Sequence, residues 1–213
     1  MYKCFLKRLL DILFSAIALM ISSPLILLIA ILVKIFMGGS VLFKQQRTGK
    51  NDKIFYIIKF KTMSDKRNEK GELLPDEQRR SRFGDILRST SLDELPELWN
   101  IFVGDMSIIG PRPLYPSYLN FYKEEEKKRN LVRGGLVPPE VLSLNITPSW
   151  DEQLSIEAHY AQNISFWLDL KIFFCAFSIL FKRIKYGYGE YDRRALYVER
   201  KETIKEPVEK VTI

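Results

Sequence analysis

Ile12-Leu13-Phe14-Ser15-Ala16-Ile17-Ala18-Leu19-Met20-Ile21-Ser22-Ser23-Pro24-Leu25-Ile26-Leu27-Leu28-Ile29-Ala30-Ile31-Leu32-Val33 runs for about 22 residues without a charge. That meets the roughly 20 apolar residues needed to cross a bilayer core. The run is too long for a secretory signal and lacks a small-residue cleavage site, so it reads as a retained anchor. At its middle, Ser22-Ser23-Pro24 interrupts the pattern: proline removes a backbone donor and kinks a helix, and the two hydroxyls can take up the freed carbonyls. Lys3, Lys7 and Arg8 precede the run, and Lys34 and Lys44 follow it. Positive charge at both ends gives no orientation. Two arrangements stay open at this point, an ordinary kinked span and a helix broken at Ser23-Pro24 that enters and leaves through one leaflet.

Beyond the anchor, Val41 to Gln46 and Lys53 to Thr62 are rich in β-branched and aromatic residues. They flank the turn 47–52, which predicts a hairpin. Residues 64–75 are polar and read as a loop, and 76–88 as one basic helix. Ser91-Leu92-Asp93-Glu94 fits a capping box opening a helix through Phe102, its first turn bent or frayed by Pro96. Gly110-Pro111-Arg112-Pro113 is a rigid turn, 115–131 a solvated helix, and 134–150 a shaped loop. Two further helices are expected, over 151–163 and 166–184, the second apolar enough to lie in a core or at a membrane surface. The fold class is α/β, mostly helical with a small hairpin or sheet. Its parts are an anchor over 1–38, a catalytic domain over 39–185 and a loose charged tail over 186–213.

Lys and Arg outnumber Asp and Glu by 33 to 26, a net charge of +7 that favours anionic partners. No aromatic-basic platform points to nucleic acid, and acidic lipid headgroups account for the charge more simply. Cys4 and Cys175 both lie in apolar stretches. They form neither a disulfide framework nor a metal-ligand spacing. The single histidine, His159, reads as a surface residue.

The first candidates for chemistry are Asp93 and Glu94. Adjacent acids at a helix start are ordinary, because the macrodipole favours them there. The cations near them in sequence change the reading: Lys59 and Lys61 at a strand end, Arg88 ahead of the acids, Arg112 in the proline turn. A carboxylate attacking a diphosphate needs positive groups, usually a divalent metal, and alignment with the leaving group. Beside cations at a helix start, Asp93 is expected to stay ionised at neutral pH. Mg²⁺ takes one or two carboxylates plus phosphate oxygens, which makes Asp93 its candidate ligand.

Ser91 through Asn100 (SLDELPELWN), with Gly104-Asp105-Met106-Ser107 and Gly110-Pro111-Arg112-Pro113, strongly resembles the bacterial sugar transferases. These are the monotopic phosphoglycosyl transferases, and the likeness is to the PglC-like small members. The resemblance extends to Ser23-Pro24, the Arg47-Thr48-Gly49 turn, Lys59 to Met63, and Asn163 to Phe166 with Asp169-Leu170-Lys171, covering residues 1 to about 185. It implies a re-entrant hairpin broken at Ser23-Pro24, holding the chain on the cytoplasmic face of a bacterial inner membrane.

The resemblance also implies a two-step reaction. Asp93 attacks the β-phosphate of a UDP-sugar, UMP leaves, and undecaprenyl phosphate collects the sugar phosphate from the enzyme, initiating a surface glycan or glycoprotein glycan. Glu94 is the second acid of the family's dyad, Mg²⁺ the expected cofactor, and Lys59, Arg88 and Arg112 the phosphate contacts. Lys61 is a supporting cation and Asp169 a structural partner. The chain departs from the family over 134–150, where Gly134-Gly135-Leu136-Val137-Pro138-Pro139-Glu140-Val141-Leu142 stands in place of a Pro-Gly-Ile-Thr-Gly motif. The resemblance therefore carries no donor sugar across. The alternative is a membrane-bound scaffold or binding protein that keeps the fold and has lost turnover through this loop; it carries no oligomeric prediction.

Overall fold

The computed structural model describes residues 2–145, 147–186 and 193–205. Helix α1 (Lys7–Met37) leads into an antiparallel hairpin, β1 (Leu42–Thr48) and β2 (Ile54–Phe60). Short helices α2 (Asp76–Arg79), α3 (Arg82–Ser89) and α4 (Glu97–Val103) follow. Strand β3 (Met106–Ile109) then pairs in parallel with β4 (Gly134–Val137), with α5 (Glu124–Lys127) in the crossover between them. Helices α6 (Trp150–Gln162), α7 (Phe166–Tyr186) and α8 (Leu196–Lys205) complete the described chain. The fold is mostly helical, with the expected small hairpin and a second two-stranded sheet.

At the position expected to break the anchor, Pro24 lies inside α1, whose helical hydrogen bonding runs from Lys7 to Met37. Proline 24 has no N–H to give the Met20 carbonyl, but Ser23 Oγ donates to that same oxygen at 2.8 Å and Ser22 Oγ donates to Ala18 O at 2.6 Å. The hydroxyls thus take over where the ladder loses its donor. Only 11% of the helix's most apolar window is covered by protein. Both of its ends nevertheless rest on the globular part. Arg8 donates to the carbonyls of Ile101 and Phe102, Asp11 accepts from Ser107 Oγ and Ile108 N, and Ile29, Val33 and Met37 pack with Phe60 and Leu87.

Three further expectations change. The single basic helix over 76–88 is two, because Arg80 takes an extended conformation bridged to Met63 and Ser81 caps α3 by accepting from Gly84 N at 3.0 Å. The solvated helix over 115–131 breaks into 3₁₀ turns around α5, and its Arg129 is buried. The described part of the tail expected to be loose, 193–205, contains α8, whose Leu196 is fully buried with Trp150 and Leu154, while 187–192 and 206–213 lie outside the described residues. The β3–β4 pair was not expected, since four-residue strands show too little alternation to read.

At the end of β3, a Cβ on Gly135 would fall 2.1 Å from Gly110 N, so two glycines let the strands and the following turn close together. Behind that turn lies an ion pair with almost no water contact. Arg129 Nε donates to Glu157 Oε2 at 2.7 Å, and the Arg112 backbone N donates to Glu157 Oε1 at 2.8 Å. Removing one partner of a buried pair strands the other charge. Glu157→Ala should therefore cost about 3–5 kcal/mol, measured by denaturant or thermal unfolding in detergent. A loss under about 1 kcal/mol would mean that the pair does not hold the turn.

Candidate active site

Asp93 and Glu94 lie on a 3₁₀ turn, Leu92–Glu94, rather than in the first turn of a capped helix. The capping box is corrected: Ser91 sits in the left-handed region at φ 55° and its side chain accepts no capping bond. Pro96 begins the helix instead of fraying it, since its fixed φ suits the start of α4 and its missing N–H is not needed there. Asn100 then ties α4 to β2. Its Nδ2 donates to Tyr56 O at 2.8 Å and its Oδ1 accepts from Ile58 N at 3.0 Å. That clamp sets Lys59, the next residue on β2, against the acidic turn.

Lys59 Nζ donates to Glu94 Oε1 at 2.6 Å and stands 3.0 Å from Glu97 Oε1. The second contact is an ion pair to a carboxylate oxygen buried away from water. Burial opposes the ammonium charge, yet the two carboxylates outweigh it and hold the Lys59 pKa above its ordinary value. Glu97 is pushed up to about 7, chiefly by burial and then by Glu94, against the pull of Lys59. Asp93 is pushed up to about 6, again by burial first and Glu94 second, with Lys59 and Arg88 pulling down. A group at 6 is ionised about ten to one at pH 7, in line with the expectation that Asp93 stays charged, although burial and Glu94 raise its pKa against the neighbouring cations.

Arg88 donates through Nε to Thr62 Oγ1 at 2.9 Å and acts on Asp93 through its charge. Arg112 projects from the turn with Nη1 3.9 Å from Glu140 Oε1. Lys61 is not in the constellation; it is buried in an ion pair with Asp65. Asp169 is structural, accepting from Tyr2 OH, Lys7 Nζ at 2.6 Å and Tyr160 OH at 2.6 Å, so that it fastens the chain's start to α6 and α7. His159 is exposed on α6. Glu97 was missed, although its spacing of three from Glu94 is the signal that places both beside one lysine.

Two clefts meet at this turn. One, of about 290 Å³, is lined by Arg47, Lys59, Arg112, Glu94, Glu97 and the rings of Tyr115, Tyr118 and Trp150. The other, of about 310 Å³, is mainly apolar, with Leu95, Leu98, Val141, Phe173, Phe177 and Leu180 around Glu94 and Arg112. Glu94, Arg112 and Leu136 belong to both walls. Asp93 lines neither cleft and stands next to Glu94 on the turn between them. A charged diphosphate suits the first cleft and a hydrocarbon chain the second.

Residues 2–183 match a family described as bacterial sugar transferase. The uncharacterized sugar transferase EpsL of Bacillus subtilis is 41% identical over 167 residues, 78% of this chain and 83% of that protein. The exopolysaccharide production protein ExoY of Rhizobium meliloti is 37% identical over 185 residues, 79% of this chain and 82% of that protein. The UDP-N-acetylgalactosamine-undecaprenyl-phosphate N-acetylgalactosaminephosphotransferase of Aeromonas hydrophila is 35% identical over 178 residues, 80% of this chain but 42% of that protein.

An acid whose folded pKa is raised binds its proton more tightly folded than unfolded. Its contribution to stability therefore falls as pH rises from about 4, its unfolded value, to about 6. Asp93→Asn removes that cost, so at pH 7 its melting temperature should rise by roughly 2–4 °C for each kcal/mol recovered. A lower melting temperature would show the charge to be stabilising.

Proposed function

The chain belongs to the bacterial sugar transferase family, and from that premise we propose that it moves a sugar 1-phosphate from a UDP-sugar to undecaprenyl phosphate through a covalent Asp93 intermediate. The observation that carries this reading is the junction of an ionic cleft and an apolar cleft at the Asp93-Glu94 turn. The general reaction agrees with the activity for which the Aeromonas relative is named. A carboxylate oxygen of Asp93 attacks the β-phosphorus, the bond from that phosphorus to the bridging oxygen breaks, and UMP leaves with the bridging oxygen and its electron pair. A phosphate oxygen of undecaprenyl phosphate then attacks the same phosphorus, and the Asp93 carboxylate is released.

Lys59 and Arg112 line the ionic cleft and meet the charge developing on the phosphoryl oxygens. Arg88 acts on Asp93 itself. Glu94 and Glu97 hold the Lys59 ammonium in place, which keeps one cation fixed at the cleft without charging the site further. Among the described residues no three acidic, histidine or cysteine side chains form a ready metal cluster. The donor set fits Mg²⁺ held by Asp93 together with substrate phosphate oxygens, since that ion asks for one or two carboxylates and keeps its waters otherwise. When bound, it would cancel charge on the diphosphate.

The membrane setting follows from α1 and α7. Both ends of α1 rest on the same domain, which supports a monotopic anchor that returns to the face it left. On α7, Trp167, Phe174 and Phe181 are exposed at 75%, 61% and 69% and recur every seven residues. A bare aromatic stripe of that kind suits a bilayer interface. Inner-membrane lipid then surrounds the apolar cleft, the cytoplasmic face holds the ionic one, and the product begins a surface glycan or glycoprotein glycan.

Incubation with undecaprenyl phosphate, Mg²⁺ and a panel of UDP-sugars should release UMP with at least one donor. Without the lipid acceptor, a phosphosugar adduct should map to the peptide bearing Asp93 and disappear in Asp93→Asn. An adduct on Glu94, which unlike Asp93 lines both clefts, would transfer the nucleophile's role to it. Lys59→Ala should lower turnover by about 10²–10³-fold, the scale of one lost electrostatic donor.

A further inference from the structure

We infer that the segment 193–205, beyond the 2–183 stretch matched by the family, completes the wall of the ionic cleft through Arg193 and Ala195, with Arg193 the positioning residue for the nucleoside-diphosphate end of the donor. The inference rests on the donor reading above.

The ionic cleft is backed by three touching rings. Tyr118 meets Tyr115 edge-on at 5.6 Å between centroids and Trp150 edge-on at 5.5 Å. A guanidinium covers each end of this row: Arg47 stands 3.8 Å over Tyr115 and Arg193 stands 3.4 Å over Trp150. The C-terminal segment therefore supplies one of the two cations that finish the wall.

Arg193 is held there on several sides. Its Nη1 donates to Pro148 O at 2.6 Å and its Nη2 to Gln153 Oε1 at 2.8 Å, while Trp150 Nε1 donates to the neighbouring Arg194 carbonyl at 2.9 Å. A planar guanidinium stacked and hydrogen-bonded in this way is pre-organised, so little side-chain freedom is lost when an anion arrives. Those contacts also pin Pro148 and Trp150, at the end of the segment over 134–150 that departs from the family pattern. Arg193 is thus fastened to the end of the segment whose departure from the family pattern leaves the donor sugar unassigned.

The rest of the segment acts as the fastening. Leu196 is fully buried with Trp150 and Leu154, and Arg200 donates to Glu126 at 2.7 and 2.8 Å and to Asp151 at 2.8 Å. Arg193 adds a cation to the cleft where Lys59 is already shared by Glu94 and Glu97, and a diphosphate brings negative charge to that wall.

The test uses the full chain in lipid nanodiscs with the UDP-sugar that the panel selects. Arg193→Ala should raise the donor KM about tenfold, the worth of one charge-assisted contact. Turnover at saturating donor and the KM for undecaprenyl phosphate should change less than about twofold on the same reckoning. Arg193→Lys should recover part of the loss, keeping the charge without the stack. Arg200→Ala, outside the cleft, should also raise the donor KM by loosening the segment.

Unchanged donor KM in Arg193→Ala and Arg200→Ala would overturn the inference. So would an equal loss in kcat and in both KM values, which marks a merely structural residue. If Arg193→Ala does not fold, Arg193→Lys and Arg200→Ala decide the matter by the same split. If the unaltered chain releases no UMP from any donor, the donor reading itself has failed. UDP binding by calorimetry then decides the clasp, supported by weaker binding in Arg193→Lys and Arg200→Ala and overturned by equal binding.

Discussion

A carboxylate without water organises the back of this molecule. Glu157 is fully buried on α6, and its charge is tolerable only because Arg129 reaches it at 2.7 Å and Gln153 and the Arg112 backbone donate to it as well. Burial alone would weaken the guanidinium's hold on its proton, but Glu157 outweighs that and raises the Arg129 pKa. The same ion pair grips both sides of one peptide segment: the Arg112 N–H donates to Glu157, and the Arg112 carbonyl accepts from Arg129 Nη2. With its backbone pinned on both sides, Arg112 can send its side chain only outward, to the edge that the two clefts share. A core interaction thus aims a residue of the site.

The front of the molecule is organised by a deficit. Asp93, Glu94 and Glu97 crowd one short turn, and Lys59 pairs with only the last two. With burial added, the outcome is two carboxyls shifted toward neutrality, Asp93 to about 6 and Glu97 to about 7. Such crowding is poor economy for a fold whose only task is to be stable, and it is the pattern expected where acids must change charge near working pH. An approaching cation would favour the ionised form of Asp93. An anionic donor would instead draw on Lys59 and Arg112, so the two kinds of charge are met by different residues.

How far the sequence carried the fold can be judged residue by residue. The anchor, the β1–β2 hairpin, and helices α6 and α7 were legible because each has a long run with one period or one composition. Asp93, Glu94, Lys59 and Arg112 were legible as a set through the family motif, and the structure brings Lys59, Glu94 and Arg112 to one cleft. What failed was local and short. Ser91 adopts a left-handed conformation that no capping pattern reveals, and Arg80 is pulled extended by its bridge to Met63. The parallel β3–β4 pair depends on glycines 24 positions apart or more, Gly110 against Gly134 and Gly135. Lys61 was placed beside Lys59 by proximity in sequence, yet Lys59 reaches Glu94 and Glu97 while Lys61 is taken by Asp65. Arg193 gave no signal at all, since its partners Trp150 and Gln153 lie 40 or more residues away.

The anchor and the site are parts of one mechanical system. Ser23 replaces the donor that Pro24 lacks, so the helix keeps its hydrogen bonding at the point where its sequence would otherwise weaken it. On either side of that point the helix is bonded to the same domain, Arg8 to the end of α4 and Met37 beside Leu87 of α3. Helix α4 carries Glu97 and Asn100, and α3 carries Arg88. Movement of either half of the anchor would therefore be felt at the acidic turn, through α4 on one side and α3 on the other. Helix α7 adds the third constraint, presenting Phe174 and Phe181 outward while Phe173, Phe177 and Leu180 line the apolar cleft. If lipid covers the outer stripe, the neighbouring faces of one helix run from bilayer to cleft. An apolar chain passing between those faces would stay among apolar side chains, which avoids the cost of drawing a long hydrocarbon through water.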